Sequence, residues 1–168
     1  MKVAVYPGSF DPITFGHLDV LGRAADAFDR VVVGVLENPR KAPLLTAVHR
    51  ITIIRGAIGE HLPAAAQRIT VEAFTGLTID FCRAQGAQFI IRGLRAISDF
   101  ESELQLGHAN RELAPEIDSV FFMTSLEQGY VSSSLVKEIA QFGGPIDRLV
   151  PAQAAAALRA AFGAREMP

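Results

Sequence analysis

Short apolar runs alternate along the chain with longer segments in which apolar residues recur every three or four positions. Five of the runs have the length and the β-branched or aromatic content of buried strands: 2–6, 30–36, 68–74, 88–94 and 118–124. The periodic segments predict helices over 16–28, 47–59, 76–86, 98–113, 132–143 and 152–163. Each predicted strand precedes a predicted helix, which is the order found in α/β proteins.

This order predicts a doubly wound, five-stranded parallel sheet of the Rossmann-like kind, covered by helices on both faces. We expect a single domain over residues 1–168, with a flexible tail at 162–168. Right-handed crossovers bring the carboxyl ends of all strands to one edge of such a sheet, and ligands bind at that edge.

The segments that follow the predicted strands contain most of the unusual residues. In chain order they read PGSFDPITFGH, ENPRKAP, TGLT, RGLRAISDFESE and SLEQGYVSSS. These segments carry hydroxyl groups and cations that suit an anion. Because they meet at one edge of the predicted sheet, we expect them to form a joint ligand site.

The composition narrows the class of protein. Apolar residues make up 49% of the chain, which is enough for a packed core, and the formal net charge is −2, which argues against a nucleic-acid binder. No apolar run approaches the ~20 residues that cross a bilayer. The single cysteine, Cys82, excludes an intrachain disulfide and is expected to be a small buried hydrophobic residue. We therefore expect a cytoplasmic protein without nucleic-acid or membrane partners.

Several known site motifs are absent. The sequence contains no G-x-x-x-x-G-K-[ST] loop, no G-x-G-x-x-G after the first strand and no G-x-S-x-G. It also lacks the C-x-x-C and H-E-x-x-H patterns that would support a zinc site.

What remains is a set of groups that suit an anionic ligand. Two predicted helix starts offer free backbone N–H groups: one carries Gly16 and the imidazole of His17, and the other carries the serines 132–134. Ser9, in the loop before the first of these helices, adds a hydroxyl donor. Positive charge is available from Lys41, Arg92 and Arg95.

The segment YPGSFDPITFGH, with T-x-G-H at residues 14–17, resembles the signature of the nucleotidyltransferase superfamily that shares its fold with class I aminoacyl-tRNA synthetases. Together with IRGLRAISDFESELQLGHANREL and YVSSSLVKE, in this order and spacing, it resembles the bacterial phosphopantetheine adenylyltransferase family. The resemblance extends from about residue 2 to about residue 160.

The resemblance implies a reversible transfer of the adenylyl group of ATP to 4′-phosphopantetheine, which gives dephospho-coenzyme A and pyrophosphate in coenzyme A biosynthesis. It further implies Mg²⁺ without an assigned protein ligand, a homohexamer, and coenzyme A as a feedback inhibitor. A covalent enzyme intermediate is not expected. Because a phosphate nucleophile is already anionic, catalysis would depend on positioning and on stabilisation of charge in the transition state.

The resemblance also implies roles for individual residues. His17 binds the triphosphate and stabilises the transition state, Lys41 holds the phosphate side of the reaction, and Arg92 binds phosphopantetheine; with Ser9 they form the catalytic set. The implied ATP-binding residues are Ser9, Phe10, His17, Gly93, Leu94, Arg95, Glu103, Gln128, Gly129, Tyr130, Val131, Ser132, Ser133 and Ser134. The implied acceptor-binding residues are Ser9, Lys41, Thr78 and Arg92.

Other interpretations stay open at this point. The chain could transfer a nucleotidyl group to another phosphomonoester, such as nicotinamide mononucleotide or a cytidylyl acceptor, or it could bind nucleotides without turnover. Arg92 and Arg95 could simply pair with acidic residues at the start of the next helix. The apolar residues of that helix could be core or subunit contacts: Phe100, Leu104, Leu106 and Leu113.

Overall fold

The computed structural model describes residues 1–38, 42–95 and 97–163. Its strands are β1 (Val3–Gly8), β2 (Arg30–Leu36), β3 (Ile69–Phe74), β4 (Phe89–Leu94) and β5 (Asp118–Met123). Its helices are α1 (Phe15–Ala27), α2 (Ala47–His61), α3 (Thr78–Gln85), α4 (Ile97–Leu113), α5 (Ser133–Gln141) and α6 (Ala152–Gly163). None of these described helices combines the length and the apolar character needed to cross a bilayer.

The predicted elements are present, and their ends differ from the predicted ones by no more than two residues. Phe162 and Gly163, which the sequence analysis assigned to a tail, are the last residues of α6. The remaining residues of that tail, 164–168, lie outside the described residues.

The strands form one parallel sheet in the order β3-β2-β1-β4-β5. The doubly wound, Rossmann-like fold class is therefore confirmed. β1 lies at the centre because the chain first winds to one side through β2 and β3 and then returns to wind to the other side through β4 and β5.

β1 is longer than the sequence pattern predicts. The prediction ended this strand at Tyr6, before the proline, but β1 continues through Pro7 and Gly8, which pair with Gly34 and Val35 of β2. Towards β4, β1 pairs only at residues 4 and 5. Proline has no N–H to contribute to a ladder, and here it stands beyond the last pair on the β4 side.

The helices cover both faces of the sheet, and each face has its own apolar core. On one face α1, α2, α5 and α6 bury residues such as Leu21, Ile54 and Leu158. On the other face α3 buries Ile79 and Cys82 against the strands. Cys82 is a buried small hydrophobic residue as predicted, and burial raises the pKa of its thiol to about 12.

Hydroxyl side chains begin two of the helices, and a glycine ends a third, where the sequence indicates. The Thr46 hydroxyl accepts the His49 N–H at 3.3 Å and begins α2, and the Ser132 hydroxyl accepts the Leu135 N–H at 3.1 Å and begins α5. Gly86 ends α3 at φ 64°, in the left-handed region that favours glycine.

α4 differs from the other helices because the apolar side chains of its residues 100–113 face outwards. Phe100, Leu104, Leu106 and Leu113 are 46%, 38%, 42% and 58% exposed. The core interpretation of these four residues is therefore wrong for the single chain. The helix spans 17 residues, and within residues 100–113 its apolar positions do not reach either core.

The central strands separate where the predicted ligand edge lies. Beyond Val5 and Ile90, β1 and β4 are no longer paired. The residues that follow, 6–8 of β1 and Arg92 and Gly93 of β4, line an open cavity. This is the topological switch point of the sheet, from which the chain leaves in opposite directions.

Gly34 in β2 lies where a side chain has no room. A Cβ atom there would stand 2.8 Å from the Phe81 ring and 3.0 Å from the Phe74 ring, and these rings stack with centroids 4.4 Å apart. We expect Gly34→Ala to lower the free energy of unfolding by about 1–3 kcal/mol, because the stacked pair has to move. Urea denaturation measures the change.

Gly59 in α2 offers the matched control. A Cβ atom there meets nothing within 4 Å, so Gly59→Ala should raise the free energy of unfolding by about 0.5–1 kcal/mol through helix propensity. A loss of stability as large as that of Gly34→Ala would contradict the packing explanation.

Candidate active site

The cavity at the switch point encloses about 1570 Å³. Its walls come from the loop after β1, the ends of β1 and β4, and the first turns of α1, α2 and α5. Most of the residues that the sequence analysis assigned to the site line it: Ser9, Phe10, His17, Arg92, Gly93, Arg95, Glu103, Val131, Ser132, Ser133 and Ser134.

The other predicted residues are placed differently. Lys41 lies outside the described residues. The remaining ones do not line the cavity: Thr78, Leu94, Gln128, Gly129 and Tyr130.

Two of these residues have close neighbours in the wall. Thr78 begins α3, and the preceding residues Thr75, Gly76 and Leu77 line the cavity in its place. The Leu77 side chain is 56% exposed and gives this end of the cavity an apolar surface. Leu94 ends β4, and its carbonyl accepts hydrogen bonds from the Thr124 N–H and hydroxyl at 2.8 and 3.0 Å.

The loop after β1 brings backbone close to the cavity. Ser9 is exposed at the cavity wall, whereas Phe10 is buried at φ 47°, in the left-handed region. A Cβ atom on Gly8 would stand 2.9 Å from the Phe10 ring, so glycine is required for this turn. The Phe10 ring therefore packs into the protein, and its backbone is what it can offer a ligand.

His17 belongs to the start of α1 and to the cavity at the same time. The Thr14 hydroxyl accepts the His17 N–H at 3.3 Å, and the Thr14 N–H donates to Nδ1 of His17 at 3.0 Å. This is a reciprocal capping box in which histidine replaces the usual glutamate or glutamine. Because a backbone N–H can only donate, Nδ1 must accept, and the neutral ring carries its proton on Nε2. Nε2–H is left for a ligand.

The surroundings of His17 keep its ring neutral. Burial lowers its pKa, the positive charge of Arg95 lowers it further, and together they bring it to about 4. The Phe10 ring packs edge-on against the imidazole with centroids 5.1 Å apart. At neutral pH His17 is therefore an oriented hydrogen-bond donor and not a cation.

Asp11 joins three segments around the cavity. Its carboxylate accepts the N–H groups of Leu44 and Leu45, both at 2.9 Å, and the ammonium of Lys137 at 2.8 Å. Burial raises its pKa, but the hydrogen bonds from Lys137 and from the two backbone groups outweigh this, and the pKa is lowered. The carboxylate is thus charged, and it fixes the loop before α2 and the start of α5 against the loop after β1.

The start of α5 is also held by a serine. The Ser133 hydroxyl donates to the Pro12 carbonyl at 2.8 Å, while Ser132 caps the helix. Ser133 and Lys137 are one turn apart on the same helix, and both reach the loop after β1. The serine-rich start of α5 is therefore attached to the loop that leads into T-x-G-H, and both line the same cavity.

Arg92 is held by Glu103 in a fixed orientation. Nε and Nη2 of Arg92 donate to Oε2 and Oε1 of Glu103 at 2.5 and 2.6 Å, and both side chains are partly buried. Glu103, which the resemblance implies as an ATP-binding residue, is instead the partner of Arg92, and this pair lies further along α4 than the acidic residues expected to pair with Arg92. The bidentate pair leaves Nη1, which hydrogen-bonds to no residue within the described ranges, for an anion.

The segment after β5 is attached to α1. Asp19 accepts the Ser125 N–H at 3.2 Å, and Arg23 donates to the Met123 carbonyl. A Cβ atom on Gly16 would stand 3.6 Å from Cβ of Gln128, so this segment approaches the start of α1 closely. Arg95 donates to the carbonyl of residue 131 at 3.3 Å and attaches the far end of the same segment.

Several residues of the cavity were missed by the sequence analysis. They are Asp11, Thr46, Arg50 and Lys137, which line it together with Thr14 of the predicted T-x-G-H motif. A signal for part of this set was available, because positions 46 and 50, like 133 and 137, are one helical turn apart at the start of a predicted helix. The burial of Asp11 and Arg50, at 4% and 2% exposure, was not predictable without the tertiary structure.

A metal centre built from protein side chains is not found in the described part of the chain. Among residues 1–38, 42–95 and 97–163, no group of three His, Cys, Asp or Glu side chains lies together in a way that could hold a metal ion.

The comparisons with known proteins agree with this geometry. The cytidylyltransferase-like family model matches residues 5–139. Among solved structures, Plasmodium falciparum nicotinic acid mononucleotide adenylyltransferase complexed with NaAD has a TM-score of 0.70 to this chain, at 15% identity over 95% of both chains, which shows a shared fold. The Rossmann-like sheet with a T-x-G-H helix start at its switch point defines the chain as a nucleotidyltransferase.

Curated relatives narrow this class. The chain is 51% identical over 95% of its length to a phosphopantetheine adenylyltransferase of Synechococcus sp. (strain JA-3-3Ab), and it covers 98% of that protein. It is 52% identical to the enzyme of the same name from Lachnoclostridium phytofermentans, over 90% of each chain. It is 51% identical to that of Gloeobacter violaceus, over 95% of this chain and 96% of the relative. The chain belongs to the phosphopantetheine adenylyltransferase family.

The lowered pKa of His17 predicts a pH-dependent stability. The unfolded chain, with an ordinary histidine pKa near 6.5, binds more protons than the native chain between about pH 6.5 and pH 4. Stability should therefore fall as the pH falls through this window, with His17 contributing up to about 3 kcal/mol of the loss. Urea denaturation at several pH values measures it.

His17→Asn is the matched variant, because its Oδ1 can accept the Thr14 N–H as Nδ1 does while the titrating ring is gone. We expect the loss of stability between pH 6.5 and pH 4 to be smaller in this variant than in the wild type. An identical pH dependence in both proteins would show that His17 is not held neutral.

Proposed function

We propose that this chain catalyses the reversible transfer of the adenylyl group of ATP to 4′-phosphopantetheine, with dephospho-coenzyme A and pyrophosphate as products, in coenzyme A biosynthesis. The observation that carries the proposal is one cavity onto which the starts of α1 and α5 open together with Arg92 and Arg95, as a polyphosphate and a second phosphate require. The names of the relatives, at about half identity over nearly the whole chain, support this choice of acceptor.

In the proposed reaction, an oxygen of the acceptor phosphate attacks the α-phosphorus of ATP. The new bond joins that oxygen to the α-phosphorus, the bond to the bridging oxygen of the β-phosphate breaks, and its electron pair leaves with pyrophosphate. A general base is not needed because the nucleophile is already an anion.

His17 suits the part of a donor in this reaction. Its Nδ1 is occupied by the Thr14 N–H and its pKa is about 4, so it neither accepts a proton through Nδ1 nor carries a charge at neutral pH. Nε2–H can donate to a phosphate oxygen at the amino end of α1, where the helix dipole also favours negative charge. In our proposal Ser9 donates to the reacting phosphate from the other side of the same loop.

The acceptor end of the cavity is proposed to lie at β3 and β4. Arg92, oriented by Glu103, offers Nη1 to the phosphate of the acceptor. The apolar wall at Leu77 suits the uncharged pantetheine arm. The serines at the start of α5 and residues 93–95 are proposed to bind ATP.

Mg²⁺ is proposed to enter with the phosphates of ATP, since the described residues provide no metal-binding cluster of their own. When bound it would neutralise charge on the phosphates. The residues of the protein then bind and orient the two substrates.

We also propose a homohexameric assembly, feedback inhibition by coenzyme A and a cytoplasmic location. The exposed apolar side chains of α4 support subunit contacts, and analytical ultracentrifugation tests the hexamer. Coenzyme A contains the phosphopantetheine portion of the acceptor, and inhibition that weakens as phosphopantetheine is raised would support competition at this cavity. A chain with a single cysteine suits a reducing compartment, and fractionation of cells tests this location.

The choice of acceptor is tested by following pyrophosphate release from ATP and Mg²⁺ with different phosphomonoesters. We expect release with 4′-phosphopantetheine and about a hundredfold less with nicotinamide mononucleotide, which lacks the long uncharged arm that the apolar wall at Leu77 is proposed to bind. Release with nicotinamide mononucleotide alone would assign the chain to another acceptor. No release with either would favour a nucleotide-binding module without turnover.

The role of His17 is tested by His17→Asn, which keeps the acceptor for the Thr14 N–H and removes the Nε2–H donor. If His17 stabilises charge that develops in the transition state, kcat should fall by about 10²–10³-fold while the Kd for ATP changes by only a few fold. Steady-state kinetics and calorimetric titration with ATP measure the two quantities. A variant with nearly normal kcat would refute this role.

A further inference from the structure

Arg50 is a buried cation without a carboxylate partner in the described chain. Its side chain lies in α2 and is 2% exposed. No ion pair joins it to a carboxylate within residues 1–38, 42–95 and 97–163, whereas Arg92 and Lys137, which also line the cavity, each have one. Buried charges in proteins are normally paired, so an unpaired one beside a cavity calls for an explanation.

The hydrogen bonds of Arg50 connect three separate segments of the cavity wall. Nη1 donates to the carbonyl of Ser9 at 2.6 Å and to the carbonyl of Leu36 at 3.2 Å. Nε donates to the carbonyl of Leu45 at 3.1 Å. One guanidinium therefore holds the loop after β1, the end of β2 and the segment before α2 at fixed distances from one another.

One nitrogen of the Arg50 guanidinium is available to a ligand. Nη2 hydrogen-bonds to no residue in the part of the chain that the structure describes, although Arg50 is one of the residues that line the cavity. Nη2 is not among the fully buried side-chain atoms that lack a partner, so it meets the open space. The guanidinium thus presents a charged donor to the cavity while another of its nitrogens is bonded to the Ser9 carbonyl.

We propose that Arg50 is an anion-binding residue of this site, whose Nη2 donates to a phosphate group of the bound nucleotide or of pyrophosphate while Nη1 fixes Ser9. This inference rests on the proposed function for the identity of the anion. The bound phosphate supplies the negative charge that no described carboxylate supplies to Arg50. The hydrogen bond from Nη1 to the Ser9 carbonyl fixes the position of Ser9, which is proposed to donate to the reacting phosphate.

Two substitutions separate the effect of the Arg50 charge from the effect of its hydrogen bonds to the three carbonyls. Arg50→Met keeps a long, unbranched side chain but removes both the charge and the hydrogen bonds. It should weaken the binding of inorganic pyrophosphate by about 10- to 100-fold. Arg50→Lys keeps the charge but has one amine for three carbonyls, so pyrophosphate binding should stay within about threefold while kcat falls about 10-fold or more. Calorimetric titration with pyrophosphate and steady-state kinetics measure these effects.

Arg55 is the matched control on the same helix. It also donates to a strand carbonyl, that of Val71 at 2.9 Å, but it is exposed and does not line this cavity. Arg55→Met and Arg55→Lys should leave pyrophosphate binding and kcat unchanged. If Arg50→Met lowers stability but binds pyrophosphate as tightly as the wild type, Arg50 is only structural and the proposal is overturned.

A spectroscopic measurement on the wild-type chain covers the case in which Arg50→Met does not fold. The Arg50 Nε–H signal in a ¹H–¹⁵N spectrum, assigned through Arg50→Lys, should shift on addition of inorganic pyrophosphate, and the Arg55 signal should not. An unchanged Arg50 signal at saturating pyrophosphate would overturn the proposal. If the wild type binds pyrophosphate through Arg50 but releases none from ATP with phosphopantetheine, the proposed function fails and the anion site stands.

Discussion

The candidate site depends on the early end of the pairing between β1 and β4. The two central strands share a ladder only as far as Val5 and Ile90, although β1 continues to Gly8 beside β2 and β4 continues to Leu94 beside β5. Neighbouring strands lie about 4.8 Å apart, which leaves no space for a ligand. Because the strands separate, the chain has a cavity bounded by ordered sheet on both sides, and the groups at the strand ends are held by the rest of the ladder.

Around this opening, several polar side chains are held by backbone groups. The Asp11 carboxylate accepts two backbone N–H groups, Arg50 donates to three carbonyls, and Nδ1 of His17 accepts the N–H of Thr14. Each such bond fixes a side chain to a segment of main chain, so the donors keep their orientation before any ligand arrives. Preorganised donors of this kind stabilise a developing negative charge without the cost of reorientation.

Much of the fold was predictable because buried parallel strands produce continuous apolar runs that are easily distinguished from amphipathic helices. The end of β1 was not, because a proline normally ends a strand, and only the missing β4 partner makes it acceptable here. The exposure of the apolar side chains of α4 was not predictable either, because Phe100 and Leu104 are apolar and one helical turn apart, as residues of a buried helix face are.

The lining of the cavity was predictable where one short segment supplies it, as in T-x-G-H and in the serines before α5. It was less predictable where a residue acts through a distant partner. Asp11 and Lys137 are 126 positions apart, and Arg50 and Ser9 are 41 apart. Neither pair leaves a local pattern, because the contacts exist only once the sheet has brought the loops together.

α1 connects the T-x-G-H end of the cavity to the segment after β5 as one rigid helix. Its first turn holds the imidazole of His17 through Thr14, and its next turns hold the segment after β5 through Asp19 and Arg23. An α-helix turns by about 100° and rises by about 1.5 Å for each residue. Inserting or deleting a single residue between His17 and Arg23 would therefore rotate one set of contacts away from its partner even if every side chain were retained. The number of residues in this stretch is thus constrained as well as their identity, because it sets the distance and the rotation between the imidazole and the segment after β5.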